Sequence, residues 1–339
     1  MSYRDHSWSR REFLHGLGIA GAIGATGLSR LAIADPALET TRLRLTTQKK
    51  GLCVAPKYVA EELLKVEGFT DIQYANVENL PERMKLLASG ETDLEVTYIS
   101  PYISRIDVDD PIVIIGGAHV GCFELFGTES IRNISDLKGK TIAVSDIGNP
   151  DHAFLASILL YIGLDPNKDV QWVTHPPPES IQLLAAEEID AFLGFPPVPQ
   201  ALRANEIGHT LLNSSTDRPW SQYFCCMVAT NTAFMEKNPV ATKKALRAIL
   251  KAADICAREP ALAAQLLMDM GLSKRYDYVI QTMQEVPYVE WREYDPEDTV
   301  RFYALRLHDA GLINSTPDKI IRKGTNWRFF NELKQELKA

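Results

Sequence analysis

The sequence has little positive charge: 36 lysines and arginines stand against 44 aspartates and glutamates, which gives a formal net charge of −8. No basic stripe with interleaved aromatic residues offsets this balance, so we expect no nucleic-acid partner. No apolar run after the N-terminal segment reaches the roughly 20 residues that a membrane span needs. With 339 residues that are 45% hydrophobic, the chain is large enough for two globular cores.

Cysteine and histidine are scarce and scattered. The five cysteines show no metal-ligand spacing, and the seven histidines form no HxxxH pair, so we predict no metal site and no cofactor. Cys225 and Cys226 are adjacent, and a disulfide between them would be strained. A bridge elsewhere stays open in an oxidising compartment, and the odd cysteine count leaves at least one free thiol.

Familiar catalytic motifs are also missing. The sequence contains no GxSxG nucleophile elbow, no GxxxxGK[ST] phosphate loop and no HExxH zinc motif. We therefore expect a binding protein and not an enzyme.

The N-terminus carries the three parts of an export signal in order. "SRREFL" at residues 9–14 is followed by an apolar, glycine-rich run over residues 16–28 and then by "AIAD". Because the apolar run has about 13 residues, it is too short for a membrane anchor. The paired arginines resemble a twin-arginine signal over residues 1–34, with cleavage after Ala34 and a periplasmic mature protein. A short amphipathic helix is the alternative.

Short β-rich runs then alternate with helical patterns, which is typical of parallel α/β domains. One set of strands precedes "CFELFGT" at residues 122–128, and a second set follows it until the return strand "CCMVATN". The sequence predicts a bilobed α/β protein with two parallel-sheet domains, a hinge and a cleft. Domain I is discontinuous, over residues 35–124 and 225–339, and domain II covers residues 125–224.

Several segments carry a family resemblance. "SDLKGKTIAVSDIGNPDHAFL", "GLDPNKDVQWV", "EEIDAFLG" and "MEKNPVATKKALRAILKAADI" are similar to periplasmic solute-binding proteins of the nitrate, sulfonate and taurine type. The fungal thiamine-pyrimidine synthases share this fold. The resemblance covers roughly residues 42–275 and implies the type II periplasmic-binding-protein fold.

The resemblance also implies a function. A protein of this kind captures a small solute, closes by hinge motion and delivers the solute to the membrane permease of an ABC importer. We expect a monomer that binds a small organic, planar or nitrogen-containing solute. The alternatives are an enzyme like the pyrimidine synthases, suggested by the cysteines of "YFCCMVATN", and a receptor subunit that presents its ligand to a sensor.

The loop "SDIGNPDHAF" at residues 145–154 is one candidate part of the solute site. Its amides could hold a polar ligand group, with Asp146, Asn149 and His152 beside it. The two acids, Asp146 and Asp151, favour a neutral or cationic nitrogenous solute over a bare anion. The alternative is simple capping of the helix that begins at Pro150.

Other candidates follow the remaining strands, because ligands of open α/β sheets sit at the carboxyl ends of strands. The predicted ligand-binding residues outside the loop are Gln48, Lys49, Tyr98, Ser100, His119, Phe195, Pro196 and Tyr223. Four of them have a structural alternative: a solvated loop for the lysine, core packing for Tyr98, a structural role for His119 and hinge packing for Tyr223.

Overall fold

A computed structural model describes the protein over residues 36–48 and 51–338. The predicted export signal at residues 1–34 and the candidate Lys49 lie outside the described residues. The strands are β1 Arg42–Thr47, β2 Asp71–Asn76, β3 Leu94–Tyr98, β4 Ile112–Val120, β5 Glu124–Gly127, β6 Thr141–Val144, β7 Gln171–Thr174, β8 Ala191–Gly194, β9 His209–Asn213 and β10 Phe224–Asn231.

Within the described residues these strands form a two-stranded, a three-stranded and a five-stranded sheet. β1 pairs with β2 in parallel, and β10 lies between β3 and β4, antiparallel to both. The five-stranded sheet has the order β7-β6-β8-β5-β9, with β6 parallel to β7 and β8. The two sheets predicted to be parallel are therefore only partly so: the two-stranded sheet is parallel, the three-stranded sheet is antiparallel, and the five-stranded sheet is mixed because β5 runs against β8 and β9.

The five-stranded sheet uses only residues between 124 and 213, whereas the other two sheets use residues 42–120 and 224–231. The chain passes from one group of strands to the other at residues 121–123 and returns through residues 214–223. The predicted domain boundaries agree with this sheet membership but stay a prediction.

The helices fill the connections. They are α1 Ala55–Val59, α2 Glu61–Val66, α3 Leu80–Ser89, α4 Ile99–Asp107, α5 Pro150–Tyr161, α6 Pro177–Ala185, α7 Val198–Ala204, α8 Thr232–Lys237, α9 Pro239–Arg258, α10 Pro260–Asp269, α11 Tyr276–Glu285, α12 Pro296–Asp309, α13 Pro317–Gly324 and α14 Arg328–Glu336. None of the helices in the described part of the chain combines the length and the apolar character that crossing a membrane requires.

Local sequence explains the two helices that matter most for the site. α3 begins after Asn79, whose side chain accepts a hydrogen bond from the Glu82 amide at 2.9 Å, and it ends at Gly90 in the left-handed conformation. α5 begins at Pro150, whose fixed φ and missing N–H suit the first helical position. Nearly the whole of α5 is buried, which anchors its N-terminal loop against the core.

One large cluster of buried apolar side chains joins β1, β3, β4, β10 and α9 with the buried faces of β5 and α5. A smaller cluster packs between the five-stranded sheet and α6 and α7; it contains Phe126, Ala143, Leu184, Ile189, Phe192 and Leu202. The core therefore continues across the crossing at residues 121–123 and holds the strand ends beside one another.

Candidate functional site

A cavity of about 430 Å³ lies where the carboxyl ends of β1, β3 and β6 meet the crossing at residues 121–123 and the start of β10. It is lined by Gln48, Gly51, Cys53, Val54, Glu78, Asn79, Leu80, Pro81, Arg83, Thr97, Tyr98, Cys122, Phe123, Ser145, Asp146, Asn149, Pro150, Asp151, Pro177, Phe195, Cys225 and Cys226. We call residues 78–83 the α3 wall and residues 145–151 the α5 wall. The volume is in the range of small-molecule sites.

Five of the sequence-predicted residues line this cavity: Gln48, Tyr98, Asp146, Asn149 and Phe195. The other described candidates do not line it. Ser100 is buried in α4, His119 is buried beneath the cavity, and Pro196 lies next to Phe195, its carbonyl accepting from the Leu52 amide at 3.1 Å. Tyr223 stacks on Phe302 with ring centroids 4.0 Å apart, which is the packing alternative considered for it.

The α5 wall satisfies its own hydrogen-bonding groups. The Ile147 amide donates to the Asp146 carboxylate at 2.8 Å, and the Gly148 amide donates to Nδ1 of His152 at 3.1 Å. The Asn149 amide donates to the Asp146 carbonyl at 3.2 Å. These amides, which the sequence suggested for the solute, are therefore engaged within the loop. His152 accepts one of these hydrogen bonds, and its ring packs edge-on against Trp172 with the ring centroids 4.7 Å apart.

Asp151 occupies the place that an anion would take at the start of α5. Its carboxylate accepts from both the amide and the hydroxyl of Ser145, the latter at 2.8 Å. The side chain is buried, and burial raises the pKa of this carboxyl although the Ser145 hydrogen bonds oppose the shift. Asp146, in contrast, is exposed and lines the cavity.

Tyr98 lies at the carboxyl end of β3 inside an aromatic cluster. Its ring meets those of Phe123, Phe154 and Tyr303 edge-on, with centroid distances of 5.1, 6.1 and 5.7 Å. Only 4% of the residue is exposed. Tyr98 therefore combines the two roles weighed for it, since it packs in the core and also reaches the cavity.

A buried ionic network lies behind the α3 wall. Nζ of Lys57 is 2.8 Å from the Glu95 carboxylate, and both side chains are fully buried. Glu95 also accepts from the hydroxyl of Thr46 and from the Val96 amide. Burial would raise the pKa of Glu95, but the attraction of Lys57 and Arg83 outweighs it and lowers that pKa.

Arg83 connects this network to the cavity. Its Nη1 lies 3.6 Å from the Glu95 carboxylate, and only 4% of the residue is exposed. Nε and Nη1 have no hydrogen-bond partner among the described residues, which is costly for buried donors. Two cations share one carboxylate here, so Arg83 brings hydrogen-bond donors to a cavity wall that also carries Glu78.

Four thiols form the floor of the cavity: Cys53, Cys122, Cys225 and Cys226. A bulge in the pairing of β10 with β4 explains how two adjacent residues of one strand both reach it. Phe224 pairs with Val120 and Cys226 with His119, so Cys225 is the extra residue. The sulfur atoms of Cys122 and Cys225 are 3.0 Å apart, and all five cysteines are free.

The thiols differ in acidity. Burial raises the pKa values of Cys122 and Cys225 well above the ordinary thiol value. Burial also acts on Cys226, but hydrogen bonds from the other three thiols and the neighbouring His119 bring its pKa well below the ordinary value. Cys226 is therefore more acidic than Cys122 and Cys225.

Sequence reasoning missed Arg83, Asn79, Thr97 and the grouping of the thiols. Arg83 follows an ordinary amphipathic pattern in "LPERMKLLAS", which gives no signal that this charge is buried. The cysteines come from segments far apart in sequence, so no spacing pattern contains them. Only the capping signal at Asn79 was available in the sequence, as an Asn-Leu-Pro start of a helix.

One family model and several solved structures are similar to this chain. Residues 127–268 match the family model described as the NMT1-like family. No curated protein is significantly similar in sequence to the chain.

Solved structures are similar over most of the chain. The periplasmic nitrate-binding protein NrtA from Synechocystis PCC 6803 is 16% identical, with 89% of this chain and 90% of that chain covered and a TM-score of 0.74. The periplasmic aliphatic sulphonate-binding protein SsuA from Escherichia coli is 19% identical, with coverages of 84% and 91% and a TM-score of 0.67.

The CA3427 gene product of Candida albicans, described as having the generic periplasmic-binding-protein fold, is 15% identical, with coverages of 84% and 96% and a TM-score of 0.63. The chain therefore has the periplasmic-binding-protein fold. This confirms, at the level of the fold, the resemblance to the nitrate and sulfonate type predicted from sequence.

Proposed function

We propose that this protein is the periplasmic solute receptor of an ABC importer, which captures a small organic solute and delivers it to a membrane permease. The observation that carries the proposal is the cavity itself, whose walls come from both groups of strands and present the unpartnered nitrogen atoms of Arg83. The fold shared with nitrate- and sulphonate-binding proteins supports the same role. We further propose that it acts as a monomer and not as an enzyme.

The two walls favour a solute with both acceptor and donor groups. Arg83 supplies partnerless donors on one side, and the exposed carboxylate of Asp146 supplies an acceptor on the other. Phe195 and Tyr98 bring aromatic surface to the same cavity. A planar, nitrogen-containing solute that also carries a carbonyl or an anionic group would match this lining.

Hinge closure is the proposed means of capture. The two crossings, at residues 121–123 and 214–223, would act as the hinge between a lobe of residues 35–124 and 225–339 and a lobe of residues 125–224. The Leu52 amide already donates to the carbonyl of Pro196 across the cavity mouth at 3.1 Å. This hydrogen bond is one that closure would keep and opening would break.

Export by the twin-arginine route is proposed from residues 1–34. Pulse-chase labelling would detect removal of these residues, and Arg10→Lys together with Arg11→Lys would block it. Processing that persists in this double variant would argue for another route.

Native mass spectrometry of the protein purified without refolding tests the receptor role, followed by denaturing mass analysis of the same sample. We expect one small adduct per chain under native conditions only, with the adduct mass identifying the solute class. A covalent mass change that survives denaturation would contradict the proposal and favour an enzyme. Co-purification with a sensor protein in place of a permease would assign the receptor to signalling.

A further inference from the structure

The thiol floor of the cavity contains a compact set of metal-binding donors. Cys53, His119 and Cys122 place a sulfur or ring-nitrogen atom within 4.8 Å of one another, and all three residues are buried. Cys226 pairs with His119 in the sheet register and shares the same cavity floor. Two thiols and one imidazole, from the turn after β1, the first crossing and β4, therefore converge on one point, and Cys226 of β10 lies opposite the imidazole in the sheet.

The hydrogen bonding of His119 leaves one ring nitrogen available to a metal. Nδ1 of His119 lies 3.1 Å from the carbonyl of Val120, which fixes the ring if Nδ1 carries the proton and donates. Nε2 then holds the lone pair, and it is buried without a hydrogen-bond partner among the described residues. A ligating histidine usually donates its second ring nitrogen to such a carbonyl.

We propose that Cys53, Cys122, Cys226 and His119 bind one zinc ion in the floor of the cavity. Three thiolates and an imidazole form one of the usual tetrahedral zinc sets. Zinc–sulfur bonds of about 2.3 Å place tetrahedral donors roughly 3.8 Å apart. Cys53, His119 and Cys122 already lie within 4.8 Å of one another, so these three donors need only a small inward movement. The cation also offsets the cost of burying thiolates in an apolar floor.

The sequence predicted no metal site because its cysteines and histidines show no metal-ligand spacing. Metal motifs are recognised by short spacings along the chain, but these donors are separated by as many as 173 residues between Cys53 and Cys226. They meet only because β4 and β10 are neighbours in one sheet. The proposed zinc site does not depend on the identity, or the existence, of a transported solute.

Zinc titration of the full chain tests the site. The protein is kept reduced with a phosphine, freed of metal with a chelator and titrated against a chromophoric zinc indicator. We expect one zinc per chain, and we expect Cys53→Ser and His119→Gln each to weaken zinc affinity by at least about 100-fold, the upper end of losses caused by outer-shell changes. Cys256→Ser is the matched control, because Cys256 is a buried free thiol in α9 outside the cluster.

Cobalt substitution separates ligation from folding. Bound cobalt(II) should give thiolate-to-metal charge-transfer absorption in the wild type and in Cys256→Ser, and this absorption should weaken in Cys53→Ser even where circular dichroism shows an unchanged fold. If the reduced wild type binds zinc no more tightly than Cys53→Ser, the proposal is wrong. It is also wrong if the exported protein holds no zinc and has Cys122 joined to Cys225, since their 3.0 Å contact makes that disulfide the main rival.

Discussion

The two polar walls of the cavity differ in how fully their hydrogen-bond donors are satisfied. The α5 wall satisfies its donors within its own loop, with Asp151 holding Ser145 and His152 holding the Gly148 amide. The α3 wall leaves Arg83 with two buried nitrogen atoms that lack hydrogen-bond partners among the described residues. The contrast indicates that the α5 wall is built for rigidity and that the α3 wall carries the unmet capacity for a ligand.

The sequence suggested the α5 wall as a main part of the solute site, whereas the structure points to Arg83 in the α3 wall. The acidic loop at residues 145–151 stands out in the sequence because it interrupts a strand–helix turn with charges. One of its two charges, Asp151, is structural, whereas the inconspicuous Arg83 is held at the cavity by a network of buried ions. A buried charge that is only partly compensated is a strong pointer to function.

The largest effect should come from breaking the ionic network behind the α3 wall. Glu95→Gln leaves Lys57 and Arg83 without their shared carboxylate, and losing one partner of a buried pair costs about 3–5 kcal/mol. Urea denaturation should report a loss of that size. Glu61→Gln is the control, since its half-exposed pair with Lys65 contributes about 0–1 kcal/mol. Equal losses in the two variants would mean that the network is not a special feature of this wall.

Tyr98→Ala should be nearly as destabilising, because it removes a side chain that packs against three aromatic rings. Truncation of a buried aromatic costs about 3–5 kcal/mol. Tyr98→Phe keeps the packing and should cost far less, so comparing the two by thermal unfolding separates the ring from the hydroxyl. Near-wild-type stability of Tyr98→Ala would contradict the core role.

The contributions of Asp151 and Glu95 to the stability of the folded protein should change with pH in opposite directions. The pKa of Asp151 is raised in the folded protein, so the folded state binds more protons and the contribution of Asp151 to stability falls as pH rises from the ordinary carboxyl value through the raised one. The pKa of Glu95 is lowered, so its contribution is present above the ordinary value and is lost as pH falls through the folded one.

Paired denaturation curves of the wild type and Asp151→Asn test this sign. We expect the stability advantage of the wild type, about 1–3 kcal/mol when it is largest, to shrink as pH rises, because ionisation of the buried carboxyl costs energy only in the wild type. The same comparison for Glu95→Gln should show an advantage that grows with pH. An Asp151 advantage that also grows with pH would show that its hydrogen bonds outweigh burial.

The smallest effect on stability should come from Asp146→Asn. Asp146 is exposed, so the free energy of unfolding should change by less than about 0.5 kcal/mol. Affinity for a donor-bearing solute should fall, with Glu188→Gln as an exposed control outside the cavity lining. Unchanged affinity would remove Asp146 from the solute site and leave the α3 wall as the source of specificity.

Local patterns predicted elements well wherever one face is apolar. The segment "RLRLTT" predicts a strand and forms β1, where Leu43 and Leu45 are more buried than Arg42 and Arg44. The apolar run after Pro150 predicts a helix as far as Ile162, one residue beyond the end of α5. The segment "PKYVAEELLK" predicts one helix, but the structure has two, α1 and α2, separated at Ala60. These signals are local, so the sequence contains them.

The composition of the site was less predictable because it depends on contacts between distant segments. Residues at strand ends, such as Tyr98 and Phe195, were identifiable since ligand sites gather there. Lys57 and Glu95 look like surface charges in the sequence, and only their 2.8 Å pairing explains their burial. The bulge that turns both Cys225 and Cys226 toward the cavity likewise depends on the register with β4.

Thermal unfolding of the wild type and of Arg83→Met, with the solute identified from the native adduct, tests whether Arg83 of the α3 wall holds the solute. Met keeps an unbranched apolar side chain but removes the donors. We predict that solute at 100 times its dissociation constant adds about 2.7 kcal/mol to the wild type and much less to Arg83→Met at the same concentration. Equal stabilisation of both proteins would mean that the α3 wall does not hold the solute.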